Sequence, residues 1–244
     1  MRYNDCDISV VWVDLDDTLI DFTANARKAL ILMYDRELSL RQLFSSGDEW
    51  AVHYEHHNLA LWAQYNVGLI KRDFLKMERF RRPLTEAGMP DSEARLTSER
   101  FDTIYLDLLA SQKRLVPGAL ELLRHLRSLE VTIGILSNGF REVQHRKITS
   151  AGLDPYIDIV VLSDDIGINK PDVRLFDYAM ERSGDNDPSH HLMIGDNPLT
   201  DITGAVNAGW NAIWYHPVTS YPPSPCPEGA TETDSLFHIP HIIG

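Results

Sequence analysis

Asp14 and Asp16 stand at the end of an apolar run, Val10-Val11-Trp12-Val13, and are followed by Asp17, Thr18 and Leu19. The run is too short for a helix and lacks helical spacing. It reads as a buried strand of the kind found in parallel sheets. A carboxylate at the end of such a strand is costly unless something pairs with it. Two residues apart, Asp14 and Asp16 can point to a common side as the strand ends. Carboxylates held together repel and shift each other's pKa, unless a divalent cation sits between them. The plain alternative is a strand followed by an acidic turn. A calcium loop of the D-x-D-x-D-G type fits less well, because Thr18 follows Asp17 and the twelfth position from Asp14 is Asn25 rather than Glu.

Three further polar groups follow apolar runs. Ser137-Asn138-Gly139 comes after Val131–Leu136, Lys170 precedes Pro171 beyond Ile157–Leu162, and Gly195-Asp196 comes after His191–Ile194 with Asp201 five residues on. Each alone has an ordinary reading: Ser137 as a helix cap, Lys170 as a solvated lysine, Gly195-Asp196-Asn197-Pro198 as a turn. Their common position is the argument. From Val116 the chain alternates strand and helix, with helices over 118–129, 140–151, 172–182 and 199–208 and a last strand at 211–215. That rhythm predicts a parallel sheet covered on both faces by helices. In such a sheet ligands bind outside the carboxyl ends of the strands, where all four groups would converge.

Residues 20–113 show helical spacing and no convincing strand. Ala26, Leu30 and Met33 share a face, as do Leu59, Trp62 and Asn66, and loosely Leu69, Phe74 and Met77. Phe101, Ile104, Tyr105 and Leu108 make a clear i, i+3, i+4, i+7 set. The expected fold class is therefore α/β, a Rossmann-like parallel-sheet core of residues 1–18 and 114–244, with an all-helical insert at 19–113. His53, His56 and His57 could in principle hold zinc, but helical amphipathicity explains them at least as well. Pro217, Pro222, Pro223, Pro225 and Pro227 predict a stiff surface segment, and residues 230–244 could return as a short strand or helix.

A net charge of -13 excludes a nucleic-acid polymer as the expected partner, yet leaves room for a small phosphorylated ligand held by a local positive site. Met1 to Ser9 is polar and acidic, so no secretory signal is expected, and no apolar run is long enough to span a membrane. The 2 cysteines, Cys6 and Cys226, could form one disulfide, but free thiols in a reducing cytoplasm are the expectation.

Taken together, Asp14-Leu15-Asp16-Asp17-Thr18, Ser137-Asn138-Gly139, Lys170-Pro171 and Gly195-Asp196 with Asp201 resemble the signature of the haloacid dehalogenase superfamily of phosphohydrolases. The insert after the first motif matches that superfamily's helical cap. A closer likeness, to its small bacterial pyrimidine 5'-nucleotidases, rests on Asp16 to Phe22, Asn58 with Leu61-Trp62, Arg79-Phe80, and Ser137 to Phe140. The resemblance implies an Mg2+-dependent phosphomonoester hydrolase. Asp14 would be the nucleophile, Asp16 the general acid and base, and Ser137, Asn138 and Lys170 the phosphoryl-binding groups. Asp14, Asp16 through its carbonyl, and Asp196 would hold Mg2+, and Asp201 would orient Lys170 or a metal-bound water. Phe22, Asn58, Trp62, Arg79 and Phe80 would meet the leaving group. The implied substrate is a nucleoside monophosphate, pyrimidine by preference, turned over by a cytoplasmic monomer or weak homodimer. A sugar-phosphate phosphatase, a phosphomutase or a broad small-metabolite phosphatase of the same superfamily is the alternative. A phospho-receiver domain shares the residue types but has neither the large insert nor this order of acids, and a non-catalytic protein on the same fold would not need all of them.

Overall fold

The computed structural model describes residues 1–217 and 225–243. A short antiparallel pair, β1 (Arg2–Tyr3) and β2 (Cys6–Asp7), precedes the main sheet. That sheet has six parallel strands: β3 (Val10–Val13), β4 (Thr132–Ser137), β5 (Ile159–Leu162), β6 (His191–Gly195), β7 (Asn211–Tyr215) and β8 (Ala230–Thr233). Their spatial order is β5-β4-β3-β6-β7-β8. The chain thus builds outward from β3 on one side, then returns to its other side. β3 lies at the point where strand order reverses, where open α/β sheets place their ligand crevice.

The period of 2 along each strand sorts side chains to the two faces. Val11, Val13, Ile133, Ile135, Leu192, Ile194 and Ile213 pack on one side, against Ile239 and against Leu122, Leu123 and Leu126 of the helix Ala119–Ser128. Val10, Trp12, Met193, Ala212 and Trp214 pack on the other, against Leu175, Phe176 and Trp210. Gly134 lies beside Trp12 in register, and a Cβ there would overlap the indole, so the glycine inside that strand makes room for the large ring.

The chain divides into two compact units, Met1–Phe22 with Arg114–Gly244, and Thr23–Lys113. The second unit is helical: α1 (Phe22–Arg36, shared with the end of the first unit), α2 (Leu38–Leu43), α3 (Gly47–Asn66), α4 (Arg72–Glu86) and α5 (Asp91–Ala110). Its core is aromatic, with Trp50, Tyr54, Phe80, Phe101 and Tyr105 packed at ring separations of 4.9–6.4 Å. On α3 the buried stripe is Trp50, Tyr54, His57 and Leu61, while Leu59 is exposed. The expected Leu59–Trp62–Asn66 face is therefore the outer one. Leu69 and Phe74 are likewise exposed, and α4 buries Leu75, Arg79 and Phe80 instead. The Phe101–Tyr105–Leu108 face is buried as its spacing predicts.

The remaining helices cover the sheet: α6 (Ala119–Ser128), α7 (Arg141–Ser150), α8 (Val173–Ser183), α9 (Thr203–Asn207) and α10 (Ile239–Ile242). The helix expected over 199–208 is broken in two. A π-type turn, Pro198–Ile202, precedes α9, and the Asn197 side chain accepts from the N–H groups of Leu199 and Thr200 at its start. The tail holds both elements that the sequence left open, a strand at Ala230–Thr233 and a short helix at Ile239–Ile242. Pro222 and Pro223 lie outside the described residues. Cys6 and Cys226 are free thiols. Among the described residues no helix is long and apolar enough to cross a membrane.

Candidate active site

Asp14 is the first residue past β3, and its N–H continues the ladder to Ile194 O at 2.9 Å. The turn beyond it reverses at Asp17, whose φ of 59° is a left-handed conformation that Asp tolerates better than most residues. Ser137 ends β4, and Gly195-Asp196 ends β6 beside them. Neighbouring strand ends thus bring Asp14, Ser137 and Asp196 together.

Lys170 reaches this edge from the loop after β5. It is buried, and its ammonium donates to Asp14 Oδ1 at 2.6 Å and to Leu136 O at 2.7 Å, and pairs with Asp201 Oδ1 at 2.7 Å. All three ammonium protons have partners, as a buried lysine requires. Burial alone would lower its pKa. Asp14 and Asp201 outweigh that and raise it, so the charge is fixed. The loop itself is clasped by Asn138, whose side chain accepts from Lys170 N at 2.7 Å and donates to Lys170 O at 3.0 Å. The Asn138 amide, expected on phosphate, meets the backbone of the lysine through both its oxygen and its nitrogen.

Asp201 approaches from the π-type turn. Its Oδ2 accepts from Asn197 N at 3.1 Å, and its Oδ1 meets Lys170. A Cβ at Gly195 would overlap this carboxylate, so the glycine of the Gly195-Asp196 pair is what lets Asp201 reach the lysine. Burial pushes Asp14 up to about 7, against the pull of Lys170 and with the help of Asp201 and Asp16. Asp196 is raised well above the ordinary carboxylate range by burial and by the charges of Asp201, Asp14 and Asp17. Thr18 donates to Asp196 Oδ1 at 3.2 Å, and Trp214 Nε1 holds the Asp196 carbonyl at 2.8 Å.

Asp14, Asp196 and Asp201 offer oxygens all within 4.8 Å of one another. Burial and neighbouring carboxylates drive Asp14 and Asp196 toward protonation, while the Lys170 ammonium is shared between Asp14 and Asp201. An all-oxygen donor set with excess negative charge fits a hard divalent cation.

Asp16 is gripped from α7, by residues whose roles the spacing of the motifs did not reveal. Lys147 Nζ lies 2.5 and 2.7 Å from its two carboxylate oxygens, and Gln144 Nε2 donates to Oδ2 at 2.9 Å and to Ser137 Oγ at 2.7 Å. Val143, Gln144, Lys147 and Ile148 form the inward face of α7, and two of those four are polar.

The residues expected at the leaving group differ in burial and partners. Phe22 lies against Lys147, with the ammonium 4.9 Å from its ring centroid. Phe80 is fully enclosed in the aromatic core of the helical unit, with no surface left to stack on a base. Arg79 is buried beside it and paired with Asp102, which also meets Lys76 at 3.0 Å. Trp62 is partly exposed and packs edge-on to Tyr65 at 5.4 Å, and Asn58 Oδ1 is buried without a hydrogen-bond partner among the described residues.

Residues 8–209 match the family model of the haloacid dehalogenase-like hydrolases. The chain is 32% identical over 204 residues to pyrimidine 5'-nucleotidase YjjG of Escherichia coli, covering 84% of each. It is 31% identical over 227 residues to a phosphoserine phosphatase of Thermus thermophilus, covering 85% of this chain and 88% of that one. The crystal structure of the HAD-hydrolase YfnB from Bacillus subtilis, bound to magnesium, resembles it with a TM-score of 0.82 at 27% identity, over 97% of this chain and 99% of that one. The sheet-end acids and their lysine thus lie within a family match that spans most of the sequence, and the chain belongs to the haloacid dehalogenase-like hydrolases.

Proposed function

We propose that the protein hydrolyses phosphomonoesters by way of a phosphoryl group carried on Asp14, and that its substrates are nucleoside monophosphates, pyrimidine ones first. The observation that carries the reading is the Asp14–Lys170–Asp201 chain at the strand ends, with Asp16 and Ser137 beside it. Asp14 attacks phosphorus as the bond to the leaving oxygen breaks, which splits one hard step into two. Asp16 gives that oxygen a proton, then takes one from the water that releases phosphate. Lys170 offsets the charge of a dianionic ester facing a carboxylate, and Asp201 holds the lysine to that task. Ser137 and the backbone N–H groups after it hold the transferring phosphoryl group. Asp14, Asp196 and the Asp16 carbonyl would hold Mg2+, which would further neutralise the phosphoryl charge. The magnesium in the YfnB structure supports that metal. The helical unit at residues 23–113 is the inserted cap, and Trp62 and Asn58 are its candidates for the leaving group.

The nucleotide preference rests on the likeness to YjjG. It is tested by phosphate release with Mg2+ at one fixed concentration of dUMP, dTMP, UMP, AMP, glucose 6-phosphate and the glycerol phosphates. Pyrimidine nucleotides should lead by at least about tenfold, which is about 1.4 kcal/mol of differential transition-state binding. A lead by hexose phosphates would assign a sugar phosphatase, and no lead at all a broad small-metabolite phosphatase.

A further inference from the structure

The grip on Asp16 is lopsided. The Lys147 side chain is 4% exposed and the Asp16 side chain 27%. The carboxylate is the group that water can reach, and the lysine is the one that loses its hydration. A buried ammonium is costly unless its geometry is good, and a carboxylate that water reaches has no need of it. The arrangement therefore serves the placement of Asp16 rather than its solvation. Both oxygens are held by one ammonium, which fixes the plane of the carboxylate. Gln144 adds a bond to Oδ2 and ties the same amide to Ser137 Oγ, so the proton-transfer group and the phosphoryl-binding hydroxyl share one crossbar. A Cβ at Gly139 would overlap that amide, so the glycine after Ser137-Asn138 leaves space for it. The Phe22 ring closes the remaining side of the ammonium.

We infer that Lys147 and Gln144 are positioning residues for Asp16: they keep its carboxylate in one orientation through both halves of the reaction, so that the same oxygens serve the leaving group and then the water. The inference rests on the role proposed for Asp16. It adds no chemical step. It predicts that the pair matters only where Asp16 matters.

The test uses the magnesium-loaded enzyme and two substrates, p-nitrophenyl phosphate, whose leaving group needs little protonation, and the best alkyl phosphomonoester of the screen above. Lys147→Met should lower kcat on the alkyl ester by at least about tenfold with KM changed less than about twofold, and cost clearly less on p-nitrophenyl phosphate. Lys147→Arg should recover most of the loss, and Gln144→Leu should show the same dependence on leaving group. In an Asp16→Asn background, Lys147→Met should cost nothing further, because coupled residues are not additive. Equal losses on both esters, or a full multiplicative loss on top of Asp16→Asn, would overturn the positioning role alone. Should Lys147→Met not fold, Lys147→Arg and Gln144→Leu decide by the same comparison. Wild-type turnover of the alkyl ester by Asp16→Asn would instead remove the role of Asp16, and this inference with it.

Discussion

At the scale of single residues the site is held by exclusions of volume as much as by contacts. Gly195 carries no Cβ because Asp201 occupies that space on its way to Lys170. Gly195→Ala should displace Asp201 and loosen the lysine. An overpacked buried site costs about 1–3 kcal/mol, and kcat should fall with it. Urea unfolding and phosphatase assays on the same preparation check both, and an alanine variant with wild-type stability and turnover would contradict the account. Asp14, Asp16, Ser137, Lys170, Asp196 and Asp201 were readable as a set because each follows an apolar run by a short interval. The pairing of Asp201 with Lys170 was readable only as one of two options, since spacing places a carboxylate near an edge without aiming it. Gln144 and Lys147 belong to no such interval. Charged and amide side chains are ordinarily solvated, and nothing local to the helix says that they face the carboxylate of Asp16.

The elements were legible in proportion to how sharply their two faces differ. Strands β4 to β7 and helices α6 to α8 lie where the alternation predicts, because a parallel sheet buries near-continuous apolar runs. Helix α3 departs from its expected stripe. It exposes Val52 and Leu59, and it buries His57 against Glu86 at 2.8 Å, so hydrophobicity alone picks the wrong stripe. The same mixing hid Arg79 on α4, which is interior because Asp102 on α5 answers its charge. Breaking one partner of such a pair leaves an uncompensated buried charge. Asp102→Ala should destabilise the helical unit by about 3–5 kcal/mol. Equilibrium denaturation followed by tryptophan fluorescence, with Trp50 in the same aromatic core, measures this. A loss below about 1 kcal/mol would show that the pair is dispensable.

For the whole molecule, the end of the sheet away from the site carries its own titration. His191, at the start of β6, is fully buried, accepts from Trp12 Nε1 at 3.0 Å through Nδ1, and meets Asp185 O at 2.9 Å through Nε2. Its ring lies against Trp210 at 4.8 Å. Burial lowers its pKa from the ordinary value of 6.5. The folded protein then holds this ring neutral at a pH where the unfolded chain has already bound a proton. Stability from this residue is complete above about pH 6.5 and is lost as pH falls below it, by up to about 1.4 kcal/mol per pH unit. Unfolding free energies between pH 7.5 and 5.5 should fall more steeply for the wild type than for His191→Gln. Parallel lines would contradict a neutral buried imidazole.

The proposed transfer of the phosphoryl group to Asp14 can be observed directly. The direct measurement is mass spectrometry of enzyme quenched in acid during turnover of a phosphomonoester with Mg2+, followed by digestion. The account predicts a hydroxylamine-labile phosphoryl increment on the peptide that contains Asp14, absent in Asp14→Asn, which should melt like the wild type and turn nothing over. Turnover by Asp14→Asn, or an increment on any other residue, would contradict it.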